Sequence, residues 1–225
     1  MLIKLLKYLR DNRLVWDVMG PLYNLRIYDA VAELYDHIAN ELKISGRARI
    51  LDVGAGRGYI SFLLAARNPE ATIIGIDYSP LQVRAAQKLR RQKQISNCSF
   101  QRGNAISIQF QDKAFDAAVS VGSIKHWPDG LQGMKEIYRV LKPGGSCIIS
   151  ETDQEATNEA LWQFVRRFRI RLIPDSLLFW GLRHVVFGQS YSQQSLTSLV
   201  GEAGFRNVEC QRVPTCPYII IKAQK

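Results

Sequence analysis

Three glycines at alternate positions, Gly54, Gly56 and Gly58, interrupt the run Ile50-Leu51-Asp52-Val53-Gly54-Ala55-Gly56-Arg57-Gly58-Tyr59-Ile60-Ser61. Glycine is costly inside regular structure, so three of them between two apolar stretches imply either a tight structural turn or main chain lying against a ligand. Asp77 follows 23 residues after Gly54, at the end of Ile73-Ile74-Gly75-Ile76-Asp77. An acidic side chain about 20 residues past a glycine turn is placed to accept hydrogen bonds from both hydroxyls of a ribose, which favours a nucleoside ligand over a bare turn. The spacing is Gly-x-Gly-x-Gly, whereas the pyrophosphate of a dinucleotide is usually met by Gly-x-Gly-x-x-Gly, so NAD is not expected.

Other residues could move a proton. His126 is the best candidate base, because imidazole titrates near neutral pH; the alternative is a histidine that braces its own loop. Lys125 and Trp127 beside it are candidates for substrate contact, and the tryptophan equally for packing. Glu151 and Asp153 are two further candidates for a base or an amine-binding group, set against the ordinary fate of a carboxylate at the surface. His37 and His184 share no ligand spacing with His126, and Cys98, Cys147, Cys210 and Cys216 form no Cys-x-x-Cys pair. No metal is expected, and the thiols read as reduced core residues.

These residues need elements to position them. From Arg49 onward short apolar runs alternate with helical segments. Strands are expected near Arg49–Val53, Thr72–Ile76, Ser99–Arg102, Phe115–Val121 and Ser146–Glu151, with helices near Gly58–Arg67, Pro80–Lys93 and Leu131–Leu141. That rhythm predicts an α/β, doubly wound, mostly parallel sheet. Ser79, Pro80 and Gln82 form a helix start in the pattern of a capping box. A helix near Gln193–Ala203 leads to two apolar runs on either side of Pro214, joined too closely to be parallel, so the sheet should end in an antiparallel hairpin. Met1–Leu42 reads as helical, with Leu34, Tyr35, Ile38 and Leu42 on one face. In Leu161–Gly188, residues Leu161, Phe164, Val165, Phe168 and Leu172 share a helical face, while Arg166, Arg167 and Arg169 point elsewhere. That segment is a lid over a substrate, a helix resting on a membrane surface, or core.

At 225 residues and 47% hydrophobic composition, the chain suits one domain with a well-filled core. It contains no apolar run of about 18 residues, and the start Met1-Leu2-Ile3-Lys4-Leu5-Leu6-Lys7 is too interrupted by lysine for a secretory core, so a cytoplasmic location is expected. The net charge of +10 suits a nucleic acid, an anionic membrane, an acidic substrate or plain solvation. With no RNA-reading motif beside it, nucleic acid is not expected as a partner.

Four blocks carry a resemblance: Ile50–Gly58, Ile73–Pro80, Gln101–Asp129 (QRGNAISIQFQDKAFDAAVSVGSIKHWPD) and Val140–Gly145 (VLKPGG). In their order and spacing the chain resembles the class I S-adenosylmethionine-dependent methyltransferases of the type 11 branch, which includes the ubiquinone/menaquinone biosynthesis C-methyltransferases. The resemblance spans about Arg49 to Gly145 and implies a seven-stranded sheet with a reversed last strand and S-adenosylmethionine as cofactor. It implies that Gly54, Gly56 and Gly58, with Ala55, face the methionine part. Asp77, followed by Tyr78, would hold the ribose. Asp52 would lie near the amino group or behind the glycine loop, Asn104 and Ala105 beside the adenine, and Ser120 and Gly122 near the sulfonium. Asn104 stands where the family usually has aspartate; its amide oxygen can still accept from the adenine amino group, without charge. The implied division is a helical cap over residues 1–45, a cofactor-binding core over 46–152, a helical insertion or lid over 153–190, and a final helix and hairpin over 191–225. The expected activity is methylation of a small or lipid-like acceptor, with peripheral contact to a membrane. The alternatives are RNA or protein methylation, or a cofactor-binding protein without catalysis. The acceptor atom is left open.

Overall fold

A computed structural model of the chain describes residues 30–42, 44, 46–168, 173–188, 190–213 and 216–225. Seven strands form one sheet: β1 (Arg49–Val53), β2 (Thr72–Asp77), β3 (Cys98–Arg102), β4 (Phe115–Val121), β5 (Leu141–Thr152), β6 (Arg206–Arg212) and β7 (Tyr218–Gln224), in the spatial order β3-β2-β1-β4-β5-β7-β6. Strands β1 to β5 pair in parallel, and β7 lies antiparallel to both β5 and β6. The chain first builds outward from β1 through β2 to β3, then returns to place β4 on the other side of β1. The strand order therefore reverses between β1 and β4, where open parallel sheets hold ligands beyond the carboxyl ends of their strands.

Helices cover both faces. One is covered by α1 (residues 30–41), α2 (Tyr59–Arg67), α3 (Pro80–Gln92) and α5 (Asn158–Phe168), whose buried residues join Ile50, Ile73 and Ile148 in one cluster. The other carries α4 (Gly130–Val140) and α7 (Gln193–Glu202), where Met134, Ile137 and Leu196 pack with Leu51, Val53 and Ile149. Successive residues of β1 thus feed opposite cores, as the pleat of a strand covered on both sides requires.

The element boundaries follow local chemistry. The Ser79 hydroxyl accepts the N–H of Gln82 at 3.3 Å with Pro80 in the first turn, so α3 starts where the sequence places it. Asp129 caps α4 through the N–H of Gln132 at 2.9 Å. The fifth strand differs from expectation: it begins at Leu141 and takes in the Pro-Gly-Gly stretch, with a register irregularity between the Phe115↔Leu141 and Ala117↔Ser146 pairs. Such a bulge tolerates a proline, which donates no ladder hydrogen bond.

Of the helix expected over Met1–Leu42, residues 30–41 are helical, and Leu34, Ile38 and Leu42 are buried with Tyr35 packed beside them; residues 1–29 lie outside the described residues. In the Leu161–Gly188 segment, Leu161, Phe164, Val165 and Phe168 are all core residues, while Arg166 and Arg167 are exposed. The stripe on α5 is therefore a packing face; Leu172 and Arg169 lie outside the described residues. Beyond it come α6 (Asp175–Gly181) and a π-helical turn over Leu182–Phe187, where Phe187 meets Phe164 and Tyr218 edge-on. Among the described residues no helix is long and apolar enough to cross a membrane.

Candidate functional site

Beyond the ends of β1 and β4 lies a cavity of about 560 Å³, within the range of small-molecule sites. Its floor begins where β1 ends. The N–H groups of Gly54 and Ala55 both donate to the carbonyl of Ile76, at 2.9 and 3.0 Å, which keeps the turning chain latched to β2.

The glycines answer different demands. A Cβ on Gly54, at φ +76°, would lie 1.9 Å from Ser123 Oγ, so the loop after β4 can approach only because that atom is missing. On Gly58, which starts α2 at φ +83°, a Cβ would strike the ring of Phe100 at 2.3 Å. Gly56 has nothing within 4 Å of the same position and lines the cavity. Of the three, Gly54 and Gly56 border the cavity, and Gly58 is a packing residue behind it.

Asp77 ends β2 and turns its carboxylate back to this loop. Oδ2 accepts the N–H of Gly56 at 2.8 Å and Oδ1 that of Ser79 at 2.9 Å, so it braces the glycine turn and the start of α3 together. Tyr78 beside it is 53% exposed, with the Arg102 guanidinium 5.6 Å from its ring centre. After β3, Asn104 Oδ1 accepts the N–H of Ile106 at 3.2 Å, and Asn104 and Ala105 both line the cavity.

Asp52 of β1 is also one of the residues that line this space. It is 1% exposed; Oδ2 accepts from the Ser61 hydroxyl, and Oδ1 has no partner. Burial pushes its carboxyl up, the Ser61 hydrogen bond opposes this, and the nearby negative charge of Asp77 adds to it, leaving Asp52 at about 7.

The chain after β4 forms the adjoining wall. Gly122, Ser123, Lys125, His126 and Trp127 all line the cavity, the last with its indole N–H donating to Ser123 Oγ at 2.9 Å. His126 closes the short turn Ile124–His126. Ser120, expected near the cofactor, instead lies within β4, buried, and donates to the carbonyl of Val53 at 2.7 Å, tying β4 to β1. It does not line the cavity.

The two further carboxylates are engaged elsewhere. Glu151 has a fully buried side chain that meets Lys125 Nζ at 2.5 Å and accepts the backbone N–H groups of Lys125 and Thr152 at 3.2 and 2.8 Å. Burial pushes Glu151 up, but the charge and hydrogen bond of Lys125 more than offset it, and the carboxyl lies below its ordinary value. Asp153 is 2% exposed and accepts from Arg212 Nε at 2.7 Å and from the N–H of Glu155 at 2.9 Å. Neither is the surface acid that the sequence suggests; both are internal struts.

Sequence reasoning named no individual cavity residue in the rest of the wall. Val31, Leu34 and Tyr35 of α1, Val186 of the π-helical turn and Tyr218 of β7 add an apolar and aromatic lining from three distant parts of the chain. The stripe on α1 was legible, but nothing in Val186 or Tyr218 marks them as cavity residues before the chain is folded.

Comparison with known proteins adds what geometry alone does not. Residues 44–203 match the family model described as a methyltransferase domain. The chain is 29% identical to the demethylmenaquinone methyltransferase of Lactiplantibacillus plantarum over 89% of this chain and 92% of that one. It is 36% identical to the chloroplastic 2-methyl-6-phytyl-1,4-hydroquinone methyltransferase 2 of Oryza sativa subsp. japonica, over 47% of this chain but only 30% of that one. Among solved structures, the [4+2]-cyclase SpnF shares the fold with a TM-score of 0.75 at 21% identity, covering 94% of each chain. The glycine turn, the reversed seventh strand and the match across most of the sequence meet in one statement: the chain belongs to the class I S-adenosylmethionine-dependent methyltransferases.

Proposed function

We propose that this enzyme methylates a small lipid-like acceptor, binding cofactor and acceptor in parts of one cavity. The observation that carries the reading is the lining: the glycine turn and two aspartates share a continuous space with Val31, Leu34, Tyr35, Val186 and Tyr218. An apolar wall of this kind binds a hydrocarbon or aromatic acceptor by excluding water. The names of the relatives, which act on demethylmenaquinone and on a phytyl hydroquinone, support the same class.

The residues at the polar end suit S-adenosylmethionine. Asp77 would accept from the ribose hydroxyls, Asn104 and Ala105 would border the adenine, and the open face of Gly56, with Gly54, Ala55 and Gly122 nearby, would let main chain approach the methionine end. Asp52 would meet the amino group through its unpartnered oxygen. Gly58 and Ser120 would support this arrangement from behind. When bound, the cofactor supplies an electrophilic methyl group on a sulfonium. The protein's own task is to hold an acceptor in line at short range, exclude water and, where the acceptor must lose a proton, receive it. His126 is our choice for that last role: it lines the cavity, and Glu151 and Asp153 are already committed to Lys125 and Arg212.

A membrane-held acceptor fits the insertion. Leu177 and Trp180 are 58% and 40% exposed on α6, with Arg166 exposed on α5 nearby in the chain, and Val186 of the same insertion lines the cavity. Apolar side chains among basic ones favour an anionic surface. Incubation with methyl-labelled cofactor and a panel of prenylated hydroquinones, sterols, soluble phenols, RNA and peptides tests the acceptor class: transfer confined to the apolar members is expected, and transfer only to RNA or peptide would overturn it. Sedimentation with anionic vesicles at low and raised salt tests the surface contact. Salt-sensitive binding that weakens in Trp180→Glu is expected, and absence of binding at either salt removes the membrane from the proposal.

A further inference from the structure

Asp52 carries a feature that methyl transfer itself does not call for. Its side chain is buried, one oxygen is held by the Ser61 hydroxyl of α2, the other is buried without a hydrogen-bond partner, and the residue itself is part of the cavity lining. An ionised carboxylate in that position would be poorly solvated, and an unsatisfied one is costly. Two titratable groups couple to it from the same side of the sheet order: the Asp77 carboxylate of the adjacent strand β2, and, one strand further out, the Cys98 thiol of β3, whose ionisation the Asp52 charge opposes. Burial and the like charge of Asp77 therefore favour the neutral acid, with only the Ser61 hydroxyl favouring the ion.

We propose that Asp52 holds a proton while the cavity contains no cofactor and releases it when the α-ammonium group of the cofactor's methionine end meets its free oxygen, so that cofactor capture is coupled to proton release. The O–H bond of the carboxylic acid breaks, the proton passes to solvent, and the carboxylate so formed accepts an N–H from the ammonium group, which keeps all its own protons. An opposite charge at close range is the factor that favours the ionised form of a buried acid. The coupling rests on the placement of the cofactor proposed above. It also gives a sign: with Asp52 at about 7 in the free protein, binding below that pH must expel a proton and tightens as pH rises, whereas above it there is no proton left to expel and affinity levels off.

The coupling selects for ligands that bring an ammonium group. A nucleoside thioether that lacks the amino-acid portion leaves the acid protonated, and its affinity should not follow this pH dependence.

The test is calorimetry of the full chain with S-adenosylhomocysteine, which has the ammonium group, and with 5′-methylthioadenosine, which lacks it, in buffers of different ionisation enthalpy across neutral pH. For the first ligand we expect release approaching about one proton per site on the acid side of Asp52's titration, with affinity rising by at most about tenfold per pH unit there. Asp52→Asn should abolish both effects, and the thioether should show neither with the unaltered protein. Release that persists in Asp52→Asn, or that is equal for the two ligands, would overturn the coupling. Carbon-13 carboxyl spectra of the unaltered protein give a second reading that does not depend on the variant folding. They should contain an aspartate that titrates near neutral pH without ligand and is ionised throughout that range with S-adenosylhomocysteine; absence of such a signal is equally fatal. If S-adenosylhomocysteine does not bind at all, the cofactor placement falls and the coupling with it, whereas binding without Asp52-dependent release removes the coupling alone.

Discussion

The carboxylate of Asp77 reaches from the end of β2 to accept the backbone N–H of Gly56 at 2.8 Å, so a side chain that borders the cavity also holds the glycine turn in shape. Two consequences follow from removing it. Asp77→Ala should weaken binding of S-adenosylhomocysteine by about 1.5–3 kcal/mol, the usual value of hydrogen bonds to a charged group. It should also lower Tm, because the N–H groups of Gly56 and Ser79 lose their acceptor. Calorimetry and thermal melting read the two separately; undiminished affinity in a folded variant would remove Asp77 from the binding residues.

Gly54 and Gly46 make a controlled pair. Both have φ near +77°, but a Cβ on Gly46 meets nothing within 4 Å, whereas on Gly54 it would lie 1.9 Å from Ser123 Oγ. Gly46→Ala should cost about 1–2 kcal/mol from backbone strain alone. Gly54→Ala should cost a further 1–3 kcal/mol or so by overpacking and should displace the loop that carries His126. Urea unfolding compares the stabilities, and equal losses would show that the approach of Ser123 is not tight in solution.

Lys125 and Glu151 form an ion pair with side chains 6% and 0% exposed. Removing one partner of a buried pair costs about 3–5 kcal/mol, so Glu151→Ala should destabilise far more than a change at an exposed pair such as Arg67–Asp36. The pH dependence has a definite sign. A carboxyl held below its ordinary value of 4.5 contributes stability that is present above that pH and lost as pH falls through its lower folded value. Unfolding midpoints followed from neutral to acid pH should therefore decline less steeply in Glu151→Gln than in the unaltered protein.

His126→Ala should lower turnover by about 10²–10⁴-fold if His126 is the general base, with the affinity for S-adenosylhomocysteine almost unchanged. Turnover that barely moves would mean that transfer depends on positioning and that His126 braces its loop.

The sequence by itself determined the class of fold and the place of the glycine turn and Asp77 that border the cavity. Strands with apolar residues on both faces, separated by helices with one apolar stripe, admit a doubly wound sheet and little else. The run from Arg206 to Gln224 forces an antiparallel close, because a short connection cannot carry the chain back to begin a parallel strand. The glycine turn and Asp77 were legible because local backbone needs dictate residue type at fixed spacing. Tertiary structure decided which face each residue presents. Ser120 sits one strand position from where it would reach the cavity and ties β4 to β1 instead; Gly58 makes room for Phe100, 42 residues away in the chain. Lys125 and Glu151 become a buried pair because β4 and β5 are neighbours, and Val186 and Tyr218 join α1 around one space from remote parts of the chain. Periodicity records how each element is buried along its own length. Which distant element covers it depends on how the layers pack, and no spacing within a segment encodes that.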